Sequence, residues 1–340
     1  MEVGGERAPE SGIFCGMDTK LMITAARRGG WFSRADALSA GYSDVDIRSR
    51  LEAGRWVRLT RGAYAQPGPD FEAAASWDRK VWLHLRTARA VYHRLDPRVV
   101  VSHQSAALLH GLRVAELDLT RVHVTKLSGA GRSGPLVCQH AARPAVDELI
   151  ESDGVRMTAG GRAVVETIRA ATYPVAVSVV DQALRRRVAT AEELAAALRL
   201  FVNRPGIGVA TRAVLFADSR AESPGESRLR VLLADLGFPA PSLQVEIYDV
   251  DGRFVARVDF LWERWGLIVE FDGAVKYGGG GAETLMAEKV REDRLRDLGY
   301  QVVRVSWSDL HRPAELLGRL QRALARSLPS SIAGHFTTSA

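Results

Sequence analysis

Two acidic residues near the C-terminal end of the chain lie in neighbouring β-like runs. Asp259 is in Val-Asp-Phe (258–260), and Glu270 is in Ile-Val-Glu-Phe-Asp-Gly (268–273). If the turn between them, residues 263–266, closes symmetrically, Asp259 lies directly opposite Glu270. Residues opposed in this way have Cβ atoms roughly 4.5–5.5 Å apart, and two carboxylates that close repel unless a proton or a cation lies between them. A hard divalent cation prefers such oxygen ligands, which predicts metal-dependent phosphodiester chemistry.

A third acid, Glu226, follows Ser-Pro-Gly at the start of a predicted helix. It precedes Leu229 and Leu233 by three and seven residues, so it points to the same side as the apolar face of the helix. The alternative is that Glu226 only completes a capping box with Ser223. The first interpretation adds Glu226 to the acidic site, and the second gives it a structural role.

Apolar residues flank Asp259, which predicts a central strand in which an unpaired carboxylate is costly to bury. The alternative to a metal site is therefore an arginine partner, with Arg257 and Arg304 as candidates. Asp272 alternates onto the same face as Glu270. It is predicted either as a further metal ligand or as the first residue of an Asp-Gly turn.

Seven elements position these acids, and the hydrophobic pattern defines each of them. The predicted order is α-β-β-β-α-β-α. Gly237 ends the first helix, Asp251-Gly252 joins the first two strands, and Gly299 ends the second helix. The predicted bounds are 224–236 for the first helix, 243–248, 254–262 and 267–271 for three strands, 284–298 for the second helix, 301–306 for the last strand and 313–328 for the last helix.

This order, with acids on the first helix and on the second and third strands, resembles the core of the PD-(D/E)XK nucleases. Residues 223–328 are most similar to the branch related to very-short-patch-repair (Vsr-like) endonucleases. The motifs that carry the likeness are Ser-Pro-Gly-Glu-Ser-Arg-Leu-Arg, Val-Asp-Phe, Val-Glu-Phe-Asp-Gly, Glu-Lys-Val-Arg-Glu-Asp-Arg-Leu-Arg and Val-Val-Arg-Val-Ser-Trp. The resemblance implies that Glu226 is the helix acid and that Asp259 and Glu270 hold Mg²⁺ or Mn²⁺, with a backbone carbonyl from residue 271.

The family's usual motif places Lys or Gln two residues after the second acid. This chain departs from the motif, because that position holds Asp272. Lys276 in the following loop or Lys289 in the charged helix could supply the ammonium, since a long side chain reaches a site from a neighbouring element. No histidine occurs between His140 and His311. A Vsr-type histidine base is therefore not expected, and the metal must supply hydroxide or neutralise charge.

Residues 17–66 are predicted to form a compact helical unit followed by a basic hairpin. Gly29-Gly30 end the first helix, and Ser33 and Ser43 are good N-caps for the second and third. After the third helix, apolar and basic residues alternate as in a two-stranded wing. This is the layout of a winged helix-turn-helix, whose third helix lies in the major groove of DNA while the wing contacts the backbone.

Residues 30–64 resemble the N-terminal winged domain of AbiEi-type antitoxins, from type IV toxin–antitoxin systems. The likeness rests on the closing Leu-Thr-Arg-Gly-Ala-Tyr (59–64) and extends to Val-Arg-Met-Thr (155–158), so 67–201 is predicted as an antitoxin-like domain of mixed α+β type. It implies DNA binding and a cognate toxin or other protein partner. The alternative is a small helical domain that packs against a partner protein.

The third helix is predicted to bury Val45, Ile47 and Leu51, which leaves Arg48 and Arg50 exposed to contact DNA. The other predicted DNA contacts are Arg55, Arg58 and Arg61 in the hairpin, and Arg291 and Arg294 on the charged helix near the acids. For the last two, a solvated helix face is the alternative.

The middle region is predicted to contain one amphipathic helix from 70 to 95, ended by Pro97. His103 and His110 flank a short helix and, being seven residues apart, can share a face. No carboxylate or cysteine joins the two at metal-ligand spacing. Structural or capping roles are therefore predicted for both.

The composition fits two or three domains in a chain of 340 residues. A net charge of +6 and a pI of about 9.6 favour a polyanionic partner. The sequence contains no apolar run of about 18 residues, and its two cysteines fit a reducing cytoplasm. Residues 1–16 are predicted as a disordered tail, 202–222 as a linker with one short helix, and 329–340 as a second tail.

Together these patterns predict an α/β multidomain, DNA-binding, Mg²⁺-dependent endonuclease-like protein that cleaves phosphodiester bonds with metal-activated water. Glu226 assists the metal ligands, and Lys276 or Lys289 stabilises charge. The alternative is a DNA-binding regulator or antitoxin that keeps the nuclease fold as a catalytically silent scaffold. A third possibility is an interaction module for a toxin. Neither a small-molecule cofactor nor a membrane is expected as a partner.

Overall fold

The computed structural model describes residues 17–95, 98–273, 282–326 and 335–338. The chain forms two compact units, Met1–Thr167 and Ile168–Ala340. The predicted tail at 1–16, Pro97 and Lys276 lie outside the described residues. In the part of the chain that the structure describes, no helix is both long and apolar enough to cross a membrane.

The first unit begins with three helices and three short strands. They are α1 (Thr19–Arg27), β1 (Phe32–Ser33), α2 (Arg34–Ser39), α3 (Asp44–Glu52), β2 (Val57–Thr60) and β3 (Ala63–Ala65). Ser33 and Ser43 cap α2 and α3, and an aspartate three residues on completes a capping box in each case. The strands form one sheet in the order β1-β3-β2. The predicted arrangement of three helices and a hairpin is confirmed, and β1 adds a third strand to it.

The core of this winged helix is aromatic. Phe32 and Trp56 are buried with their ring centroids 4.7 Å apart, and Ile47 joins them from α3. Val45 is 72% exposed, so the prediction that it faces the core is wrong. It lies two residues before Ile47, which in a helix is almost the opposite side.

A five-stranded sheet with the order β6-β5-β4-β8-β7 follows in the first unit. The elements are α4 (Pro69–Ala73), α5 (Ser76–Tyr92), β4 (Val99–Val101), α6 (His103–Leu109), β5 (Val122–Lys126), β6 (Val137–Ala141), β7 (Leu149–Ser152), β8 (Val155–Thr158) and α7 (Gly160–Ile168). The single helix predicted over 70–95 is wrong, because Ala74 and Ala75 have extended ψ angles of 148° and 152° and separate two helices. β6 and β7 are largely unburied, so they carry little of the alternation that predicts a strand.

The second unit begins with three helices and continues with an α/β segment. The elements are α8 (Tyr173–Arg185), α9 (Ala191–Leu200), α10 (Ile207–Phe216), α11 (Pro224–Asp235), β9 (Ser242–Tyr248), β10 (Phe254–Trp262), β11 (Leu267–Asp272), α12 (Ala282–Asp297), β12 (Gln301–Ser306), α13 (Pro313–Arg326) and β13 (His335–Thr338). From α11 to α13 the predicted order of elements is confirmed. A buried ion pair of 2.9 Å between Asp181 and Arg230 joins α8 to α11. Within 329–340, the segment predicted as a tail, β13 pairs with β9.

The sheet of the second unit has the order β12-β11-β10-β9-β13. β11 and β12 are parallel, and the other neighbours are antiparallel. One face packs against α11 and α13 through a core that includes Leu229, Phe260 and Leu320. The other face packs against α12 through a core that includes Ile268 and Leu295. An acidic side chain on the central strands is therefore held between two apolar layers.

Gly225 fixes how closely α11 approaches β11. A Cβ added to it would lie 1.9 Å from Cε1 of Phe271. We expect Gly225→Ala to lower the free energy of unfolding by about 1–3 kcal/mol, because the ring or the helix has to move.

Gly318 in α13 is the matched control, since its added Cβ would meet nothing closer than the flexible end of Arg322 at 3.4 Å. We expect Gly318→Ala to leave stability unchanged or to raise it by about 0.5–1 kcal/mol. Urea denaturation measures both variants, and equal effects would contradict the close contact at Gly225.

Candidate functional site

Polar residues form a row across four neighbouring strands of the second unit. The row is Gln244 on β9, Asp259 on β10, Glu270 on β11 and Arg304 on β12. The β10–β11 register begins at Trp262–Leu267, as symmetric closure of the turn predicts, and its continuation places Asp259 beside Glu270. The β9–β10 pairs on either side of Asp259 place Gln244 opposite it, and Glu270 pairs with Arg304.

The amide of Gln244 joins two carboxylates. Its Nε2 donates to Glu226 Oε2 at 3.0 Å and to Asp259 Oδ1 at 3.2 Å. The other oxygen of Asp259 accepts the backbone N–H of Phe271 at 2.8 Å. Glu226 from α11 and Asp259 from β10 are thus held together by one donor group.

The side-chain alternation of β9 is broken at Gln244. Its φ is +53°, a left-handed value that costs a non-glycine residue roughly 1–2 kcal/mol. Leu243 packs in the layer of α11, whereas Val245, two residues on, packs in the layer of α12. In a regular strand both would point to the same face. The break lets the Gln244 side chain reach both carboxylates, and backbone strain of this kind is concentrated at functional sites.

Burial is the main cause that raises the pKa values of Glu226, Asp259 and Glu270 above their ordinary range. The negative charge of Asp259 raises the pKa of Glu226 further. The effect of burial is opposed at Asp259 by its hydrogen bonds from Phe271 and Gln244, and at Glu270 by the positive charge of Arg291. Desolvated, mutually repelling carboxylates gain most from a divalent cation, so their chemistry fits Mg²⁺ or Mn²⁺.

The two arginines considered as partners of Asp259 bind other acids. Arg257 Nη2 donates to Glu222 Oε2 at 2.8 Å, and Arg304 Nη1 donates to Glu288 Oε1 at 2.8 Å. Among the ion pairs of the described residues, none joins Asp259 to Arg257 or Arg304, although both arginines line the same pocket as Asp259.

A pocket of about 200 Å³ opens beside the row. Glu288 and Arg291 line it from α12, and Arg291 Nη2 lies 3.2 Å from Glu270 Oε2. Asp272 also lines it and is exposed at the end of β11. The structure therefore brings this predicted ligand to the same pocket as Asp259 and Glu270.

Two other predicted residues of α12 lie elsewhere. Lys289 is exposed beside Glu288. Arg294 is exposed and lines a separate pocket of about 310 Å³ together with Arg253 and Phe254. The roles of Lys289 and Arg294 stay predictions.

The start of α11 serves both as a cap and as part of the site. Ser223 Oγ accepts the backbone N–H of Glu226 at 3.1 Å, so the serine caps the helix as predicted. The Glu226 carboxylate accepts the backbone N–H of Glu222 at 2.8 Å, instead of that of Ser223 as a capping box requires. The predicted capping box is therefore half formed, and the carboxylate is free to turn towards Gln244.

The predicted DNA contacts of the first unit differ in exposure. Arg48 on α3 is exposed, and so are the hairpin residues Arg55, Arg58 and Arg61. Arg50 is half-buried, with its guanidinium 4.7 Å from the ring centroid of Tyr42 and 5.4 Å from that of Trp56. Part of its surface is thus used in packing.

Gln244 and Glu288 are the site residues that the sequence interpretation missed. For Gln244 a signal exists: symmetric closure of the Asp251-Gly252 turn places it opposite Asp259. The structure has this register from Ala256–Ile247 onwards, after an irregularity near the turn. For Glu288 the long charged face of α12 carries no comparable signal.

Residues 20–67 match the family model described as "Transcriptional regulator, AbiEi antitoxin". The match spans α1 to β3, so the predicted N-terminal resemblance is confirmed for this region. The resemblance of 223–328 to the PD-(D/E)XK nuclease core stays a prediction.

Two relatives come from strains of Mycobacterium tuberculosis, "Uncharacterized protein MT2308" and "Uncharacterized protein Rv2248". Each is 29% identical to this chain over 285 residues, which are 84% of this chain and 96% of the relative. The crystal structure of the RV2827C protein from Mycobacterium tuberculosis aligns with 64% of this chain and 80% of its own, at 18% identity and a TM-score of 0.35. A likeness that weak does not establish a shared fold.

Glu226→Gln removes one charge and keeps an oxygen that can accept from Glu222 and Gln244. Because the pKa of Glu226 is raised in the folded protein, its ionisation opposes folding. This loss of stability is absent at pH values below 4.5, the ordinary pKa of Glu226. It grows as the pH rises through the higher pKa that Glu226 has in the folded protein. Without divalent cations, we expect Glu226→Gln to raise the Tm at pH 7 by roughly 2 °C, with no gain near pH 4.

Thermal unfolding at both pH values measures this difference. Asp251→Asn in the exposed turn is the control, and it should show no pH-dependent gain. A Glu226→Gln variant that is less stable than the parent at pH 7 would show that the carboxylate stabilises the fold instead.

Proposed function

We propose that this protein binds DNA through its winged helix and hydrolyses phosphodiester bonds with Mg²⁺ or Mn²⁺ at the Glu226–Asp259–Glu270 site. The observation that carries the proposal is the Gln244 amide shared between Glu226 and Asp259. A sheet that needed these acids only for folding would gain by losing the charges, since their burial opposes ionisation. Asp259 and Glu270 instead line one pocket, and Glu226 is joined to Asp259 through Gln244. Desolvated acids in this arrangement are suited to concentrate a cation.

The DNA-binding half of the proposal rests on the first unit. Its match to an antitoxin regulator family covers the winged helix, and Arg48, Arg55 and Arg58 are exposed there. Exposed arginines on a recognition helix and a wing suit phosphate and base contacts. A protein partner such as a cognate toxin is compatible with the same family match.

The chemical half assigns roles to the acids. Asp259 and Glu270 would hold the cation, and Asp272 lies where it could contribute a further oxygen. Bound there, the cation would lower the pKa of water and neutralise the phosphate. Glu226, held by Gln244, would orient the attacking water, which forms one P–O bond as the bond to the leaving oxygen breaks. Lys276 or Lys289 would stabilise that oxygen.

A second candidate is a DNA-binding regulator whose acidic site does not cut. The ion pair of Arg291 with Glu270 favours it, because a guanidinium can neutralise the acid in place of a metal. The presence of Asp272 where nucleases of this type have Lys or Gln favours it as well. Metal binding separates the two candidates.

We expect the purified full-length protein to cleave DNA when Mg²⁺ or Mn²⁺ is added, and Asp259→Ala to lower the rate at least about a hundredfold through loss of a metal ligand. Single-stranded, duplex and mismatched DNA serve as substrates in a gel assay. Asp251→Asn is the control with the same loss of charge. Saturable Mn²⁺ binding without cleavage by the parent protein would sink the hydrolytic proposal, and no Mn²⁺ binding would favour the regulator.

The winged helix is tested separately, by DNA affinity at several salt concentrations without divalent cations. We expect the double variant Arg48→Ala/Arg58→Ala to bind more weakly and to reduce the slope of log K against log salt by about 2, one for each lost phosphate contact. Arg143→Ala, exposed in the same unit outside the winged helix, should leave the slope unchanged. An unchanged slope in the double variant would contradict DNA binding by this surface.

A further inference from the structure

Three histidines of the first unit form a cluster on three different elements. His103 begins α6, His123 is in β5 and His140 is in β6. Each offers one ring nitrogen, and the three nitrogens lie within 4.8 Å of one another. All three rings are half-buried, so solvent can reach them. They lie in a different unit from the acidic site.

Two ring nitrogens of the cluster are as close as the ligands of one ion, since His123 Nδ1 and His140 Nε2 are 3.0 Å apart. The rings of His103 and His140 stack, with centroids 3.6 Å apart and an angle of 16° between their planes. In a tetrahedral site with metal–nitrogen bonds of 2.0–2.1 Å, neighbouring ligand atoms are about 3.3–3.4 Å apart. Because an imidazole nitrogen binds a metal in the plane of its ring, the stacked rings of His103 and His140 have to turn for one ion to bind all three nitrogens, which already lie within 4.8 Å of one another.

The backbone that positions the cluster is strained at His103. β5 and β6 are parallel, and Thr125 pairs with His140, so His123 and His140 alternate onto the same face of the sheet. His103 has a φ of +53°, which is rare for a residue with a side chain. Its backbone N–H is held by the buried carboxylate of Glu166 at 3.2 Å. Strained backbone that the surroundings hold in place is typical of ligand sites.

Polar groups also orient two of the rings from outside. His103 Nδ1 contacts Ser102 Oγ at 3.0 Å and lies 3.6 Å from Glu166 Oε2. The side-chain nitrogen of Gln104 is 2.9 Å from His123 Nε2. Such outer contacts fix ring orientation in histidine metal sites.

We propose that His103, His123 and His140 bind one divalent transition-metal ion, with Zn²⁺ as the representative. Imidazole nitrogen suits zinc, copper and nickel, whereas Mg²⁺ and Ca²⁺ prefer oxygen. Three protein ligands leave a fourth position for water. Metal binding would tie α6 to the strands β5 and β6.

The test uses the full-length protein, stripped of metal with a chelator and titrated with Zn²⁺ by calorimetry in a large excess of Mg²⁺. We expect one Zn²⁺ per chain. His123→Gln and His140→Gln should each weaken binding at least about tenfold, with folding checked by circular dichroism. His311→Gln, exposed in the second unit, and Cys138→Ser, beside the cluster in β6, should bind as the parent does.

Asp259→Ala separates this site from the acidic one. Zn²⁺ binding that survives in Asp259→Ala and is lost in His140→Gln supports the histidine site, and the reverse pattern overturns it. Co²⁺ gives a test on the parent protein that no unfolded variant can obscure. An intense visible spectrum of four-coordinate Co²⁺, without a thiolate charge-transfer band, is expected. A weak six-coordinate spectrum or no binding overturns the proposal.

Discussion

One side-chain amide holds the acidic site together. Gln244 gives one hydrogen to Glu226 and one to Asp259, and without it two buried carboxylates on different elements would repel each other. To reach them, Gln244 adopts a left-handed φ and breaks the alternation of β9. The folded state carries that strain and the desolvation of three acids. The two apolar layers on either side of the sheet offset both terms, because apolar burial contributes about 25 cal/mol per Å².

The two polar clusters of this protein have different ligand chemistry. The acidic pocket presents carboxylate oxygen beside three arginines, Arg257, Arg291 and Arg304, and its oxygen ligands suit hard cations that keep part of their hydration. The histidine cluster presents imidazole nitrogen in a half-buried setting, which suits softer ions. Both clusters combine a buried carboxylate with a residue of positive φ, Gln244 in one and His103 in the other. In each, the main chain is distorted where side chains from separate elements converge.

Much of the second unit could be predicted from the sequence, because its pattern is local. The bounds of β10 and β12 agree with the predicted ones, since period-two alternation and glycine punctuation define strand ends. The position of Asp259 beside Glu270 followed from one short turn. For Gln244 the Asp251-Gly252 turn predicts the position opposite Asp259, but regular strand alternation does not predict the left-handed φ that breaks β9 there. The exposure of Val45 follows from helix periodicity, because it lies nearly opposite Ile47. The break at Ala74–Ala75 falls within a run of helix-forming residues, so no residue of that segment predicts it.

The contact between Gly225 and Phe271 constrains how the sequence can evolve. The ring occupies the volume that a side chain at 225 would need, so position 271 can hold a large aromatic residue only while 225 remains glycine. Phe271 also donates its backbone N–H to Asp259, so the close contact between positions 225 and 271 lies next to the acids. Over evolutionary time the two positions are therefore expected to change together, and drift at either one would reshape the acidic pocket before it altered any of the acids.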